Sequence, residues 1–209
     1  MHSRYAGGLL LLSLSLGPAI AQDAPNRLTA REASDGWILL FDGKSLNGWQ
    51  SRPTSERNAT GDWKVENGAL ACGGTMPSWL ATDASFSDYT LKLQFRGDAK
   101  VNSGVFLRSQ KEGQPHITGY ELQIWDYQPA GFNTGSLVGA VKAPEVRIKP
   151  NEWNDYEIAA NGDHFVINLN GKTLLDTRNS QHASGVVGFQ CQRDNPIQFR
   201  NIKLRPTKK

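Results

Sequence analysis

Sulfur and imidazole are scarce in this 209-residue chain, which carries two cysteines, two methionines and four histidines. Neither Cys72 nor Cys191 sits at the spacing of a zinc or iron–sulfur site, so transition-metal chemistry has no signature here. The sequence leaves a calcium ion open, because a site built from Asp, Asn and backbone carbonyls needs neither residue type. There is no Ser-His-Asp elbow and no phosphate-cradling loop. Charge of one sign is also lacking. The formal net charge is +3, and Lys208-Lys209 is a tail and not a patch, so nucleic acid is not the expected partner. Long apolar runs are missing too. The stretch 9–16 is broken by serines and is too short to cross a bilayer. Beyond about residue 33 helical periodicity disappears, which excludes a helical bundle.

What the N-terminus does hold is an export signal. Arg4 precedes the apolar stretch, and Ala19-Ile20-Ala21 gives the small-x-small pattern cut by signal peptidase. The expected signal peptide is 1–21, with Gln22 the first mature residue; an uncleaved anchor is the alternative. No cysteine lies at a lipobox, so a periplasmic or secreted protein with no membrane attachment after cleavage is expected. Removal of 1–21 takes one arginine and no acid, leaving a charge of +2. In an oxidising compartment Cys72 and Cys191 could pair, but two separate buried thiols fit the sequence equally well.

Residues 22–36 read as a leader with one short helix, because Thr29-Ala30-Arg31-Glu32 forms a capping box. Residues 37–206 read as a single domain of short strands separated by Gly, Asn, Asp and Pro. Strands are expected over 37–41, 63–66, 69–72, 79–82, 89–96, 105–109, 119–125, 155–160, 164–169, 173–176, 185–192 and 197–204. Asn67-Gly68, Asn161-Gly162 and Asn170-Gly171 mark hairpin turns. Such a chain predicts an all-β fold, a two-sheet antiparallel jelly-roll sandwich. Trp37, Trp49, Trp63 and Trp153 read as packing residues. The region 128–151, with Pro129, Gly131, Pro144 and Pro150, reads as a long loop over the sandwich.

One strand carries unusual chemistry. Alternation places Tyr120, Leu122 and Ile124 on the core face and Glu121, Gln123 and Trp125 on the other. A polar strand face is usually only solvated, yet a tryptophan there is wasteful in open water. A carboxylate, an amide and an aromatic plate side by side suit a sugar. Arg108, on the parity of Phe106, could lie beside Glu121 and keep it ionised, or form an ordinary salt bridge. Asp126 has the opposite parity to Glu121 and reaches the same cleft only through a twist or bulge, which weakens a paired-carboxylate glycosidase. His116, in the preceding loop, is a candidate proton shuttle. His164 and His182 lie beside turns and read as solvated. Asn102, Ser103 and Thr134, in the segments around this strand, and Gln192 are candidate substrate-binding residues, and Tyr127 in the following loop could wall the cleft.

These motifs together resemble the 3-keto-disaccharide hydrolase domain family. The resemblance runs through Leu39-Leu40-Phe41-Asp42-Gly43-Lys44-Ser45-Leu46-Asn47-Gly48-Trp49, Asn102-Ser103-Gly104-Val105-Phe106-Leu107-Arg108 and Tyr120-Glu121-Leu122-Gln123-Ile124 with Asp126. It continues through Thr134-Gly135, Asn151-Glu152-Trp153-Asn154, Leu169-Asn170-Gly171-Lys172 and Phe199-Arg200-Asn201-Ile202. It implies a concanavalin-like jelly roll and cleavage of glycosides already oxidised to a ketone at carbon 3. It nominates Glu121 as general base or key sugar ligand, Arg108 for charge stabilisation or orientation of Glu121, Gln123 and Asp126 as hydroxyl ligands, and Arg193 as a neighbour of the cleft. It also implies an oxidoreductase that supplies the keto substrate. Many members carry a histidine where this chain has Gln192.

Three readings follow: an exported enzyme acting on 3-keto-glycosides, a non-catalytic carbohydrate-binding module on the same scaffold, and an ordinary glycosidase using Glu121. For the exported chain, the mature protein is expected to begin at Gln22. Intact-mass measurement on secreted material checks this; a retained Met1 would indicate an anchor.

Overall fold

The computed structural model describes residues 24–54 and 61–207. The expected signal segment, Gln22 and the Lys208-Lys209 tail lie outside the described residues. Helix α1 (Ala30–Ser34) leads the chain. Its capping box is complete: the Thr29 hydroxyl accepts from the Glu32 N–H at 3.1 Å, and Glu32 Oε2 accepts from the Thr29 N–H at 3.1 Å.

The strands are β1 (Ile38–Leu39), β2 (Trp49–Pro53), β3 (Lys64–Glu66), β4 (Ala69–Cys72), β5 (Ser78–Phe86), β6 (Tyr89–Gly97) and β7 (Ser103–Ser109). A one-turn helix, α2 (Pro115–Thr118), precedes β8 (Tyr120–Ile124). The chain continues with β9 (Asn154–Asn161), β10 (His164–Leu169), β11 (Lys172–Arg178), β12 (Gly185–Cys191) and β13 (Ile197–Pro206). Among the described residues these make two antiparallel sheets, ordered β11-β10-β9-β6-β13-β4-β3 with β1 on β13, and β2-β5-β12-β7-β8. This is the expected jelly-roll sandwich. Asn67 and Gly68 both take positive φ (50° and 74°), as do Asn170 and Gly171 (50° and 79°). Paired left-handed residues match the right-handed twist of the strands they join.

Alternation places the core between the sheets. Leu91, Leu93 and Phe95 of β6 face Leu80, Val105, Leu107, Leu122 and Phe189 of the smaller sheet, all of them buried. Phe189 stacks on Phe199 of the opposite sheet at 4.1 Å and on Trp49 at 5.2 Å. Cys72 of β4 and Cys191 of β12 form a disulfide with Cα atoms 6.1 Å apart, which decides the question left open by the sequence. It clamps one sheet to the other across 119 residues of chain, worth about 5 kcal/mol by loop-closure entropy.

Two tryptophans depart from the packing expectation. Trp153 lies half-buried on the outside of the larger sheet, with the Arg96 and Arg200 guanidinium carbons 4.7 and 4.0 Å from its ring centre. Trp37 is also half-exposed, against Lys92, Lys203 and Arg205. Both rings serve as plates for cations on a solvated sheet face. Strand β2, absent from the strands expected from sequence, pairs with β5 at the sheet edge.

Arg108 does not lie beside Glu121. The register of β12 shifts between Val186 and Gly188 against both neighbours, and Arg108 takes φ +55°. This bulge reverses the parity of the strand end and sends the side chain through the sandwich. There the guanidinium donates to the carbonyls of Ser87 (2.7 Å), Gly162 (2.6 Å) and His182 (3.1 Å) and to Asp88 Oδ1 (3.2 Å). It is 1 % exposed and lies over the Phe165 ring. Arg108→Met leaves three carbonyls without their donor and should cost about 3–5 kcal/mol of unfolding free energy. Urea denaturation checks it. Unchanged stability with lost activity would restore a chemical role at the cleft.

Candidate functional site

The outward face of the smaller sheet carries a second, minor apolar layer. Trp79, Ala81, Phe106 and Val186 are buried there, with Trp79 edge-on to Phe106 at 5.6 Å. Phe106 of this layer forms part of the wall of a hollow of about 390 Å³, lined also by Thr54, Pro77, Asn102, His116, Glu121, Gln123, Trp125, Gln128, Val138, Gln190 and Gln192. The alternation read from β8 therefore puts Glu121, Gln123 and Trp125 into one cavity.

Glu121 pairs with Phe106 across β7 and β8. Its carboxyl crosses toward β12 over Gly104, where a Cβ would stand 2.9 Å from Glu121 Oε1. Glycine at 104 is thus a space requirement. On the far side the Gln190 amide hydrogen-bonds the carboxyl. Burial pushes the proton affinity of Glu121 up to about 7 against that favourable bond, and only 7 % of the residue is exposed. The other end of Gln190 is unusual. Its Oε1 is buried without a hydrogen-bond partner among the described residues, in a side chain 6 % exposed that lines the hollow. A buried carbonyl oxygen left alone costs on the order of 1–3 kcal/mol, which a hydroxyl from a ligand would offset.

The wall opposite is a loop that behaves as an irregular extra strand. The N–H groups of Val138 and Gly135 donate to the carbonyls of Glu121 (2.9 Å) and Gln123 (3.0 Å), and the N–H of Gln123 donates to the Ser136 carbonyl at 2.9 Å. Asp126 fastens that loop. It accepts from the Thr134 hydroxyl at 2.6 Å and from the Ile148 N–H at 3.0 Å. Asp126 and Thr134 are therefore spent on shaping the loop and do not line the hollow, as the opposite strand parity of Asp126 requires. Ser103 likewise turns inward, donating to the Gln190 carbonyl at 2.7 Å. Tyr127 is 63 % exposed beneath Arg147, and Arg193 is exposed; neither reaches the hollow. His116, on α2, does reach it, and partial desolvation lowers its proton affinity, so the ring is neutral near pH 7. Asn102 and Gln192 complete the rim.

Gln190 and Phe106 were missed by sequence reading. The signal for Gln190 was present, since it is the lone polar side chain on the outward parity of β12, after Val186 and Gly188. Among the described residues, Asp62, Cys72 and Cys191 are the set of three ligand-type side chains close enough to share a metal, but the two sulfurs are joined as a disulfide. The hollow contains one carboxyl and several neutral amides. It can take a proton near neutrality, accept and donate hydrogen bonds to hydroxyls, and stack a ring against Trp125.

Comparison with known proteins bears on the family and the fold. The family model of the 3-keto-alpha-glucoside-1,2-lyase-like domain matches residues 36–205. A 3-keto-disaccharide hydrolase of Bacteroides thetaiotaomicron is 24% identical over 173 residues, covering 68% of this chain and 59% of that protein. The chain thus spans about three fifths of that relative's length. A crystallised Parabacteroides distasonis protein, provisionally described as a glycosyl hydrolase, superposes with TM-score 0.76 at 22% identity, over 88% of this chain and 100% of that one. The carbohydrate-binding module CBM66 of Bacillus subtilis superposes with TM-score 0.57 at 20% identity, over 75% of this chain and 94% of the module.

Because the folded chain holds the Glu121 proton more tightly than the unfolded chain, stability should fall as pH rises from 4.5 through 7. The full effect is on the order of 3 kcal/mol. Glu121→Gln removes it. The variant should match the parent below the lower limit and exceed its unfolding free energy above the upper one. Denaturation at several pH values measures this.

Proposed function

The chain belongs to the 3-keto-alpha-glucoside-1,2-lyase-like domain family, and we propose that it is an exported enzyme that cleaves 3-keto-glycosides with Glu121 as the base. The observation that carries this reading is the single buried carboxyl on the floor of the hollow, its proton affinity raised to about 7 beside the Gln190 amide. A base works best when its proton affinity lies near the working pH.

A ketone at C3 makes the C2 hydrogen acidic. The Glu121 carboxylate takes that proton, and the C–H electron pair becomes the C2–C3 enolate with charge on the ketone oxygen. The C1–O bond then breaks. Its electron pair leaves with the departing oxygen, which takes up a proton, and a C1–C2 double bond remains conjugated to the restored ketone. Water adds across it, placing hydroxyl on C1 and hydrogen on C2, so the net change is hydrolysis. The enolate oxygen needs hydrogen-bond donors. With Arg108 committed elsewhere, the amides of Asn102 and Gln192 and the His116 imidazole serve. The orphan Gln190 oxygen takes a substrate hydroxyl, and Trp125 stacks on the ring's C–H face.

Export is supported by the N-terminal signal pattern and by the disulfide, which suits an oxidising compartment. The substrate requires an oxidoreductase that makes the C3 ketone.

Purified mature protein should release the aglycone from a 3-keto-β-glucoside and leave the unoxidised glucoside intact. Activity should rise with pH through about 7 as Glu121 ionises, and Glu121→Gln should lower kcat by about 100- to 10,000-fold. Binding without release points to a carbohydrate-binding module. Release from the unoxidised glucoside points to an ordinary glycosidase. Full turnover by the Gln variant removes Glu121 as base.

A further inference from the structure

The outward face of the larger sheet lies across the sandwich from Glu121, and it gathers cations. Strand β6 alternates buried and half-buried residues, so Lys92, Gln94 and Arg96 share its outward parity. On β13 the outward residues are Gln198 and Arg200, then, past a register shift with Asn201 at φ +53°, Lys203 and Arg205. The irregularity keeps all four on one side of the sheet. Lys203 stands directly opposite Lys92, and Arg200 opposite Gln94. Like charges facing each other across a strand pair oppose folding, so the stripe carries a cost that an anionic ligand offsets. We propose that this face binds an acidic polysaccharide through carboxylate or sulfate groups spaced along it. The proposal is independent of the enzymatic reading above.

Arg96 and Arg200 form the centre of the patch. Their guanidinium carbons lie 4.7 and 4.0 Å from the centre of the Trp153 ring, a plate that holds both in place. Their hydrogen-bond partners are glutamine oxygens and not carboxylates. Arg96 donates from Nε and Nη2 to Gln198 Oε1 at 2.9 and 2.5 Å, and Arg200 donates from Nε to Gln94 Oε1 at 2.8 Å. Among the described residues, Nη1 of Arg96 and both Nη groups of Arg200 make no hydrogen bond, and both side chains are half-exposed. A guanidinium anchored at Nε presents its free end to a carboxylate or sulfate in a fixed fork. Burial, and then the charge of Arg96, lower the proton affinity of Arg200, while Asp155 acts the other way. An anion between the two arginines relieves their repulsion.

The shape fits a chain better than a single ion. An open hollow of about 470 Å³ borders Arg96, with Lys64, Asn151 and Gln198 beside it and Glu66 and Asp98 on its rim. Another, of about 410 Å³, holds Lys92 and Lys203 with Asp155 and Glu157. Lys92 and Arg96 share one strand and stand about 13 Å apart along it, and each hollow has room for a sugar ring. Acids also interrupt the stripe. Glu157 pairs with Lys92 at 3.2 Å, Glu66 with Lys64 at 3.2 Å, and Glu32 with Lys203. A continuous anionic membrane would meet those carboxylates. A chain with separated charges reaches Arg96, Arg200 and Arg205 between them, and the Gln198 and Asn151 amides take its hydroxyls.

Calorimetric titration of the mature protein with polygalacturonate, dextran sulfate and neutral dextran tests this. The parent should bind at least one acidic polymer, which identifies the anion as carboxylate or sulfate, and the affinity should fall as salt is raised. Arg96→Gln combined with Arg200→Gln should weaken that binding roughly 10-fold or more and leave any dextran affinity unchanged. Lys142→Gln combined with Arg193→Gln removes the same charge from exposed positions outside this face, and should change it less than about 2-fold. Urea midpoints equal to the parent's confirm that the variants fold. If the arginine pair lowers the midpoint, Arg200→Lys, which keeps the charge and loses the fork, carries the test with an expected loss of about 3-fold. Retained binding in the arginine variant, an equal loss in the control pair, or binding of phosphatidylglycerol vesicles with neither acidic polymer bound overturns the proposal. Turnover of a small 3-keto-glycoside is read separately, so a failed enzymatic reading leaves these results standing.

Discussion

A strand laid against one core has two directions in which to send its side chains, and nearly everything in this molecule follows from which residues take the outward one. The inward parity of both sheets is apolar and closes a core in which Phe189 and Phe199 stack between sheets. Over most of the larger sheet the outward parity meets solvent. Over the smaller sheet it does not. There Trp79 donates its indole N–H to the Pro53 carbonyl at the end of β2, Phe106 lies in the wall of the hollow, and α2 packs on β7 and β8 at its side. The site is therefore a product of incomplete covering, and the carboxyl of Glu121 loses water without gaining a cationic partner.

That imbalance has an energetic direction. Desolvation opposes the charge on Glu121, and one amide bond from Gln190 does not cancel it. A fold selected only for stability would place an apolar side chain there. The same corner holds a second unfavourable term in the orphan Gln190 oxygen, and a third constraint in Gly104, where any side chain would displace the carboxyl. Local cost concentrated on three adjacent strands supports the proposal that a ligand is held there. It is rigidly supported nearby, since the disulfide follows Gln190 directly in β12 and ties that strand to the opposite sheet.

Arg108 and Asp126 show how much support a cleft needs from residues that never touch its contents. One bridges the turn and loop ends of the sandwich from inside, and the other ties the wall loop at Thr134 and Ile148. Both carry charge and both adjoin the strand that bears Glu121, so sequence reading drew them toward the chemistry. Their bonding capacity is instead used inside the fold, Arg108 on three carbonyls and Asp88, and Asp126 on the Thr134 hydroxyl and the Ile148 N–H.

Local rules made much of this protein legible in one dimension. The capping box at Thr29, the Asn-Gly hairpins, the two-residue alternation and the face shared by Glu121, Gln123 and Trp125 depend on neighbours within a few residues, so the amino-acid order determines them. The parity that kept Asp126 out of the cleft was equally readable. What the tertiary structure decided depends on register between distant strands. The shift in β12 opposite Arg108 reversed that residue's direction, the approach of β4 to β12 joined Cys72 to Cys191, and the lateral order β12-β7-β8 brought Gln190 to Glu121 over a glycine. No local pattern encodes such pairings, because they are settled by how two whole sheets fit around one core.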